Sequence, residues 1–390
     1  MDAIEQASTH FQFAQQIRRD LHKNPELGFQ EFRTASVISD YLKQFGYRVT
    51  EGVGKTGVVG SLETGRAGRC LMLRFDMDAL PLQEENECEY ASQRAGIMHA
   101  CGHDGHVAIG ITVAKILAEN LGEFSGKLKF VFQPAEEGLG GAESMLAAGV
   151  LEDPTPDAAL AIHLWNEKPL GWLGITPGPL MAGADMVTIT VTGKGGHGAI
   201  PQEAIDPVFA AAQVLIGLQT IIGKDLSPLD PVVVSITEFH AGHASNVIPS
   251  SALLRGSIRY LSTETREVIH QRIHQISGSI ALAYRCTASV ELIPLTPPVI
   301  NSTAIAEEVT AVARKTLPEQ RIVSTHQVMV SDDMAYFLEK IPGCYILIGS
   351  ADELNGLNGH HHSSRFDFAE KAMETSVSLL IGFTKTFLKS

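Results

Sequence analysis

Apolar residues recur at helical spacing from Phe11 to Leu21 and again from Val37 to Phe45, with the breaker "NPELG" (Asn24 to Gly28) between them. Short β-rich runs follow: "TGVVGSLE", "CLMLRFD", "KLKFVFQP" and "AALAIHLW". One long apolar stretch with a helical period, "HVAIGITVAKILAENL", lies between the second and third of these runs. Strands separated by helices of this length predict an α/β fold with a mostly parallel sheet covered on both faces. From about Asp185 the period changes. "DMVTITVTGKGGH" alternates like a half-exposed strand, and the order from there reads strand, helix, strand, strand, helix, strand, ending at "ASVELIPL". That order predicts a ferredoxin-like α+β unit. After "TPPVIN" the pattern returns to helix, strand ("CYILIG") and helix. The chain therefore divides into a larger α/β domain in two parts, 1–183 and 296–390, with a smaller α+β domain, 184–295, inserted between them.

Composition narrows the class. A chain of 390 residues with 44% hydrophobic content can bury a large core. Net charge is -14 with no basic run, which argues against a nucleic-acid partner. The polar, amphipathic N-terminus lacks the apolar centre of a secretion signal. No window is read as approaching the roughly 20 apolar residues of a membrane span. Five scattered cysteines, Cys70, Cys88, Cys101, Cys286 and Cys344, do not suggest a disulfide framework. The expected location is a reducing, cytoplasmic compartment.

Candidate chemistry collects after the strands, where open α/β sheets bind ligands. "CLMLRF" is followed by Asp76-Met77-Asp78, and "KLKFVFQP" by Ala135-Glu136-Glu137. "AALAI" runs into His163, and "CYILIG" is followed, after a loop, by His360-His361-His362. "GIMHACGHDGH" sets Cys101 and His103 in the turn before the long helix. Each feature has an ordinary structural reading: solvated carboxylates, a capping aspartate, a satisfied core histidine. Their coincidence at four strand ends and one helix start favours a site. Thiolate, imidazole and carboxylate donors suit Zn2+, with Mn2+, Co2+ or Ni2+ as substitutes. Cys101, His103, Glu137, His163 and His362 exceed one open tetrahedral shell and suit two divalent ions. Neighbours on a strand face opposite ways, so Glu136 and Glu137 divide their labour from a loop: one binds metal, the other accepts a proton from the attacking water.

The motifs "RFDMDALP", "MHACGHDGH", "FQPAEEG", "GKGGHGAIPQEAIDP", "ASNVIP" and "HHSSRFDF", with the N-terminal "RRDLHKNPELGFQE", resemble the amidohydrolase branch of the di-metal zinc peptidase family. That branch includes hippurate hydrolases, N-acyl-amino-acid hydrolases, plant auxin-conjugate hydrolases and thermophile carboxypeptidases. The resemblance implies the zinc-exopeptidase type of catalytic domain and the metal ligands Cys101, His103, Glu137, His163 and His362, with Cys101 bridging two ions. It implies Glu136 as general base and later acid to the leaving amine, and Asp78 as the residue that orients a ligand. His197, in the inserted domain, is implied to stabilise the oxyanion in a partner's active site, that domain serving as lid and dimerisation element of a homodimer or tetramer. Asn246 and Arg259 match positions that hold the substrate's amino-acid portion, Arg259 through its carboxylate. Asp76 stands where the wider family has a histidine ligand. Ser331-Asp332-Asp333 replaces the usual Ser-Glu-Asp, and Ser364 an expected proline. The histidine run leaves His361 as the alternative to His362.

The function expected is metal-dependent hydrolysis of N-acyl-amino acids or short peptides to a carboxylic acid and a free amino acid. Three rivals stand beside it: a carboxypeptidase or dipeptidase acting mainly on peptides, a thiol hydrolase using Cys101 with His103 or His106 as base, and a non-catalytic binding protein for acylated amino acids.

Overall fold

The computed structural model describes residues 1–389, which form two compact units. The first comprises Met1–Gly178, Ile300–His326 and the chain from Asp333 onward; the second comprises Pro179–Val299 and Gln327–Asp332.

An eight-stranded sheet organises the first unit. Its order is Arg48–Val53, Gly57–Glu63, Lys127–Gln133, Cys70–Asp76, Ala158–Pro169, Gly343–Ala351, Trp172–Gly174 and Arg321–Val323. The central four, from Lys127–Gln133 to Gly343–Ala351, run parallel. Every residue of Cys70–Asp76 and of Gly343–Ala351 is buried, as apolar strands covered on both faces must be. The helix His103–Glu119 is apolar around most of its circumference and sits inside the same core as the C-terminal helix Lys371–Phe387. Three short strands, Arg48–Val53, Trp172–Gly174 and Arg321–Val323, and the short helix Met334–Leu338 escape the hydrophobic pattern. Too short or too exposed to show a period, they are fixed by pairing and packing.

The second unit has a four-stranded antiparallel sheet, ordered Val232–Ala241, Ser251–Tyr260, Gly183–Thr192, Thr287–Thr296. The helices Pro207–Leu218 and Thr263–Ala283 pack on it, which is the strand order and composition of a ferredoxin-like unit. Six residues from the tail part of the chain, 327–332, group with this unit rather than with the larger one. The backbone explains it: Val328 N–H donates to Leu180 O at 3.0 Å, and Ala182 N–H to Val330 O at 2.9 Å. One stretch, Pro207–Asp225, is long and apolar enough by length and composition to cross a membrane, which the sequence pattern had not suggested. Its Ala210, Ala211, Val214 and Leu218 lie in the core of the second unit, so its apolar face is used against the sheet.

Candidate metal centre

The parallel strands deliver their chemistry at one edge of the first unit. Cys101 Sγ lies 3.5 Å from His163 Nε2, and with His103 the two form one group of mutually close ligand atoms. Cys101, Glu137 and His362 form a second, His362 Nε2 standing 3.2 Å from Glu137 Oε1. The thiol belongs to both groups. A third group joins His103 to Glu136 and Glu137. The five residues expected as ligands therefore converge, with Glu136 beside them, although 261 positions of sequence separate Cys101 from His362.

Each side chain is aimed by its neighbours. His103 donates Nδ1–H to the Asp78 carbonyl at 2.9 Å, which leaves Nε2 bare; that atom is buried and makes no hydrogen bond. His163 donates Nδ1–H to Leu164 O at 2.8 Å and presents Nε2 to Cys101. His163 sits within a strand that continues to Pro169, rather than at its end. Asp78 acts through two atoms: its carbonyl on His103, and Oδ2, which accepts Glu137 N–H at 3.1 Å. His362 adopts a positive φ of 62°, and its N–H donates to Ala100 O at 2.9 Å, pinning the last loop beside Cys101.

The neighbouring His361 also borders the site, with Nδ1 3.7 Å from Cys101 Sγ. Its Nε2 accepts Asn166 N–H at 3.1 Å, so its proton sits on Nδ1 and points to the Cys101 sulfur. Asp76 is likewise spent: Oδ1 accepts from His106 Nδ1 at 2.5 Å and Oδ2 from Arg74 at 2.6 Å. Arg74 also donates to Asp333 at 2.9 Å, which links Asp333 to this strand. His106 accepts Leu164 N–H on its other nitrogen, so neither ring atom is available as a base for Cys101.

Protonation follows the surroundings. Burial and then the Glu137 carboxylate push the Cys101 thiol up, the opposite of an activated nucleophile. Burial, then His106 and His361, hold His163 well below the usual imidazole range, in the neutral form a metal requires. His362 is raised to about 10 by its contacts with Cys101 and Glu137. A buried thiol, a buried imidazole nitrogen with no hydrogen bond and the Glu137 carboxylate share one small space, with the His362 ring against that carboxylate. Divalent ions fit that set, because they stabilise thiolate and carboxylate while accepting the bare nitrogens.

Several supporting residues carried no sequence signal beyond their motif. Arg18 and His22 reach the helix start: Arg18 Nε and His22 Nδ1 each lie 2.8 Å from Asp104 Oδ2. Arg18 continues to Asp367 at 2.6 Å. These positions fall in "RRDLHKNPELGFQE" and "HHSSRFDF", and only long-range folding shows what they hold.

The other three candidates lie in the second unit. His197 and Asn246 meet on a small two-stranded ribbon, where Gly198 N–H donates to Asn246 O at 2.8 Å. Both side chains are on exposed residues. Ala199 N–H donates to His197 Nδ1 at 3.1 Å, which places the ring proton on Nε2. Arg259, half-buried, donates to Ser331 Oγ at 3.0 Å, and among the described residues no carboxylate pairs with it.

Comparison with known proteins identifies a family for the chain. The model of peptidase family M20/M25/M40 matches residues 72–386. Hippurate hydrolase of Campylobacter jejuni is 37% identical over 379 residues, covering 96% of each chain. IAA-amino acid hydrolase ILR1-like 2 of Arabidopsis thaliana is 40% identical over 355 residues, covering 90% of this chain and 80% of that one. Among solved structures, the YXEP protein of Bacillus subtilis, described as a dinuclear metal binding peptidase of family M20, superposes with a TM-score of 0.86 at 32% identity. That match covers 98% of this chain and 99% of the other. With its motifs, its fold and these relatives in accord, the chain belongs to peptidase family M20/M25/M40.

Proposed function

We infer that this member of a hydrolase family cleaves the amide bond of N-acyl-amino acids, releasing a carboxylic acid and a free amino acid. The observation that carries the reading is the sharing of Cys101 between two ligand groups with Glu136 alongside. Cys101, His103, Glu137, His163 and His362 would hold two divalent ions, Zn2+ by the softness of the donor set. Ions bound there supply a hydrolytic nucleophile at neutral pH and polarise the scissile carbonyl.

The chain's own groups do the rest. Glu136 takes the proton of the attacking water on its carboxylate and returns it to the leaving nitrogen, so the amine departs neutral. His197, protonated on Nε2, has a donor to offer the oxygen on which negative charge develops, and its Nδ1 is already held by Ala199. Arg259, a guanidinium without a carboxylate of its own, suits the substrate's carboxylate, and Asn246 its amide portion. The bond of His361 Nε2 to Asn166 N–H and the grouping of His362 with Cys101 and Glu137 support His362 ahead of His361 as the last ligand. The names of the relatives, hippurate hydrolase and IAA-amino acid hydrolase, support N-acyl-amino acids ahead of peptides.

A homodimer is consistent with the apolar residues Phe209, Ile216, Leu282 and Tyr284 left exposed on the second unit. The cytoplasm fits five cysteines that are all unpaired.

The decisive experiment is Glu136→Gln, assayed on a panel of N-acetyl, N-benzoyl and dipeptide substrates. Bound metal should stay at two ions per chain while kcat falls by about 10²–10⁴-fold. A variant that retains its rate would overturn the mechanism in favour of the Cys101 thiol. A faster rate on dipeptides than on acylated amino acids would replace the substrate class with peptides.

A further inference from the structure

Glu31 closes the motif "RRDLHKNPELGFQE" and plays no part in the mechanism above, yet it is completely buried. Its carboxylate is spent on two partners. Oε1 accepts Ala135 N–H at 2.9 Å, and Oε2 accepts the Thr56 hydroxyl at 2.5 Å. Ala135 immediately precedes Glu136 and has a φ of 52°, in the left-handed region that L side chains avoid. Its carbonyl is held too, by Gly141 N–H at 3.1 Å.

The same segment presses on this loop a second time. A Cβ at Gly28 would lie 2.7 Å from Leu139 Cδ1 and 3.0 Å from Ala135 Cα, so only glycine lets the chain pass so close. One residue earlier, Leu27 bridges to Ala79, and Ala79 N–H donates to Glu26 O at 2.8 Å. That contact grips the chain next to Asp78, which itself orients His103 and Glu137. A strained residue persists only where its surroundings over-determine it. A buried carboxylate is a costly acceptor to station behind a loop unless the loop's exact path matters.

We propose that Glu31 is a positioning residue for the hydrolytic step: by holding Ala135 N–H it fixes the direction in which Glu136 leaves the strand. This rests on the reading of Glu136 as the proton-transferring base. Because Glu31 touches neither substrate nor ligand, its effect reaches the reaction only through Glu136.

The test is a double-mutant cycle on the metal-loaded enzyme, with hippurate or N-acetylmethionine as substrate. Glu31→Met keeps the volume and removes both acceptors. Its kcat should fall by up to about 100-fold, the scale of an ångström of misplacement, while KM and the content of two metals change little. Glu31→Gln retains an acceptor for Ala135 and should restore kcat to within about threefold of the parent. Glu31→Met combined with Glu136→Gln should be no slower than Glu136→Gln alone, because a displaced base and an absent base cost the same step. A purely structural role predicts instead that the two losses multiply, or that Glu31→Met loses metal and stability together. Either result overturns the proposal. So does a parental kcat in Glu31→Met while Glu136→Gln is inactive; a parental rate in Glu136→Gln itself would instead remove the underlying mechanism. Should Glu31→Met fail to fold, Thr56→Val serves in its place. Loss of that one hydroxyl should lower kcat by about three- to tenfold with metal retained, and an unchanged kcat refutes the assignment.

Discussion

In the first unit Cys101, His103 and His163 are buried and each is fixed by at least one neighbour, with Glu136 and Glu137 partly buried and His362 exposed beside them, while in the second unit His197 and Asn246 stand exposed at a two-stranded ribbon. The first arrangement is a matter of desolvation. His103, His163 and Cys101 have exchanged water for a carbonyl, a carbonyl and one another, so any substitution there is felt by the fold as well as by the site. The ribbon has no such debt. Its side chains can change without leaving a buried group unsatisfied, so function and stability separate there. Under the proposed function, the first unit would hold the ions and the base, and the second would supply groups that meet the substrate.

The contrast can be broken most severely by removing metal. A chelator should abolish activity, and added Zn2+ or Mn2+ should restore it. The first unit should also lose about 3–4 kcal/mol of unfolding free energy per bound ion, if free metal had stood at 100 to 1,000 times its dissociation constant. Denaturant titration with and without chelator measures this, and an unchanged midpoint would contradict a metal centre in the buried set.

His197→Ala should lower kcat by about 10²–10³-fold, the cost of one lost oxyanion donor. Its unfolding midpoint should match the parent, because the ring is exposed. Steady-state kinetics and a melt on the same preparation give both numbers, and a joint loss of rate and stability would erase the distinction between the two units.

Arg259→Met should raise KM by about 10- to 100-fold for substrates with a free carboxylate, the scale of a hydrogen bond to a charged group. Amidated substrates should show no such change. Arg259→Lys should recover little, since a point charge does not reproduce the planar fork.

The smallest effect sharpens the first unit's side of the contrast. His22 has a carboxylate at each ring nitrogen, Asp104 at 2.8 Å and Glu84 at 3.2 Å. Burial opposes its charge, but Asp104 prevails, and the imidazolium persists to about 9. A pKa raised in the folded state stabilises fully below the ordinary 6.5 and is lost as pH climbs through 9. Stability should therefore fall by roughly 3 kcal/mol between those limits. Urea titrations across that range test it, and His22→Gln should flatten the slope.

Much of the first unit could be read from the chain. The runs "CLMLRFD", "KLKFVFQP" and "CYILIG" are so apolar that only doubly covered strands could absorb them, and they became central strands. The alternation of "DMVTITVTGKGGH" likewise marked a strand of the smaller sheet. The strands Trp172–Gly174 and Arg321–Val323 were illegible, because three residues show no period. At the site, residue types and motifs pointed to the converging thiol, imidazoles and carboxylates. They left His361 and His362 open, since adjacent histidines differ only in what each ring nitrogen meets. Asn166 N–H occupies one nitrogen of the first, and no local pattern announces that bond.

By itself the sequence determined which segments must be buried and which side chains could bind a cation, because both depend on composition and short-range period. Tertiary structure alone decided which lone pairs remain free and what supports them. Arg18 on Asp104, Glu31 on Ala135 and His106 on Asp76 bridge between 30 and 104 positions of chain. A hydrogen bond acts over about 3 Å of space whatever the distance along the chain, so such pairings exist only once the sheet has brought the loops together.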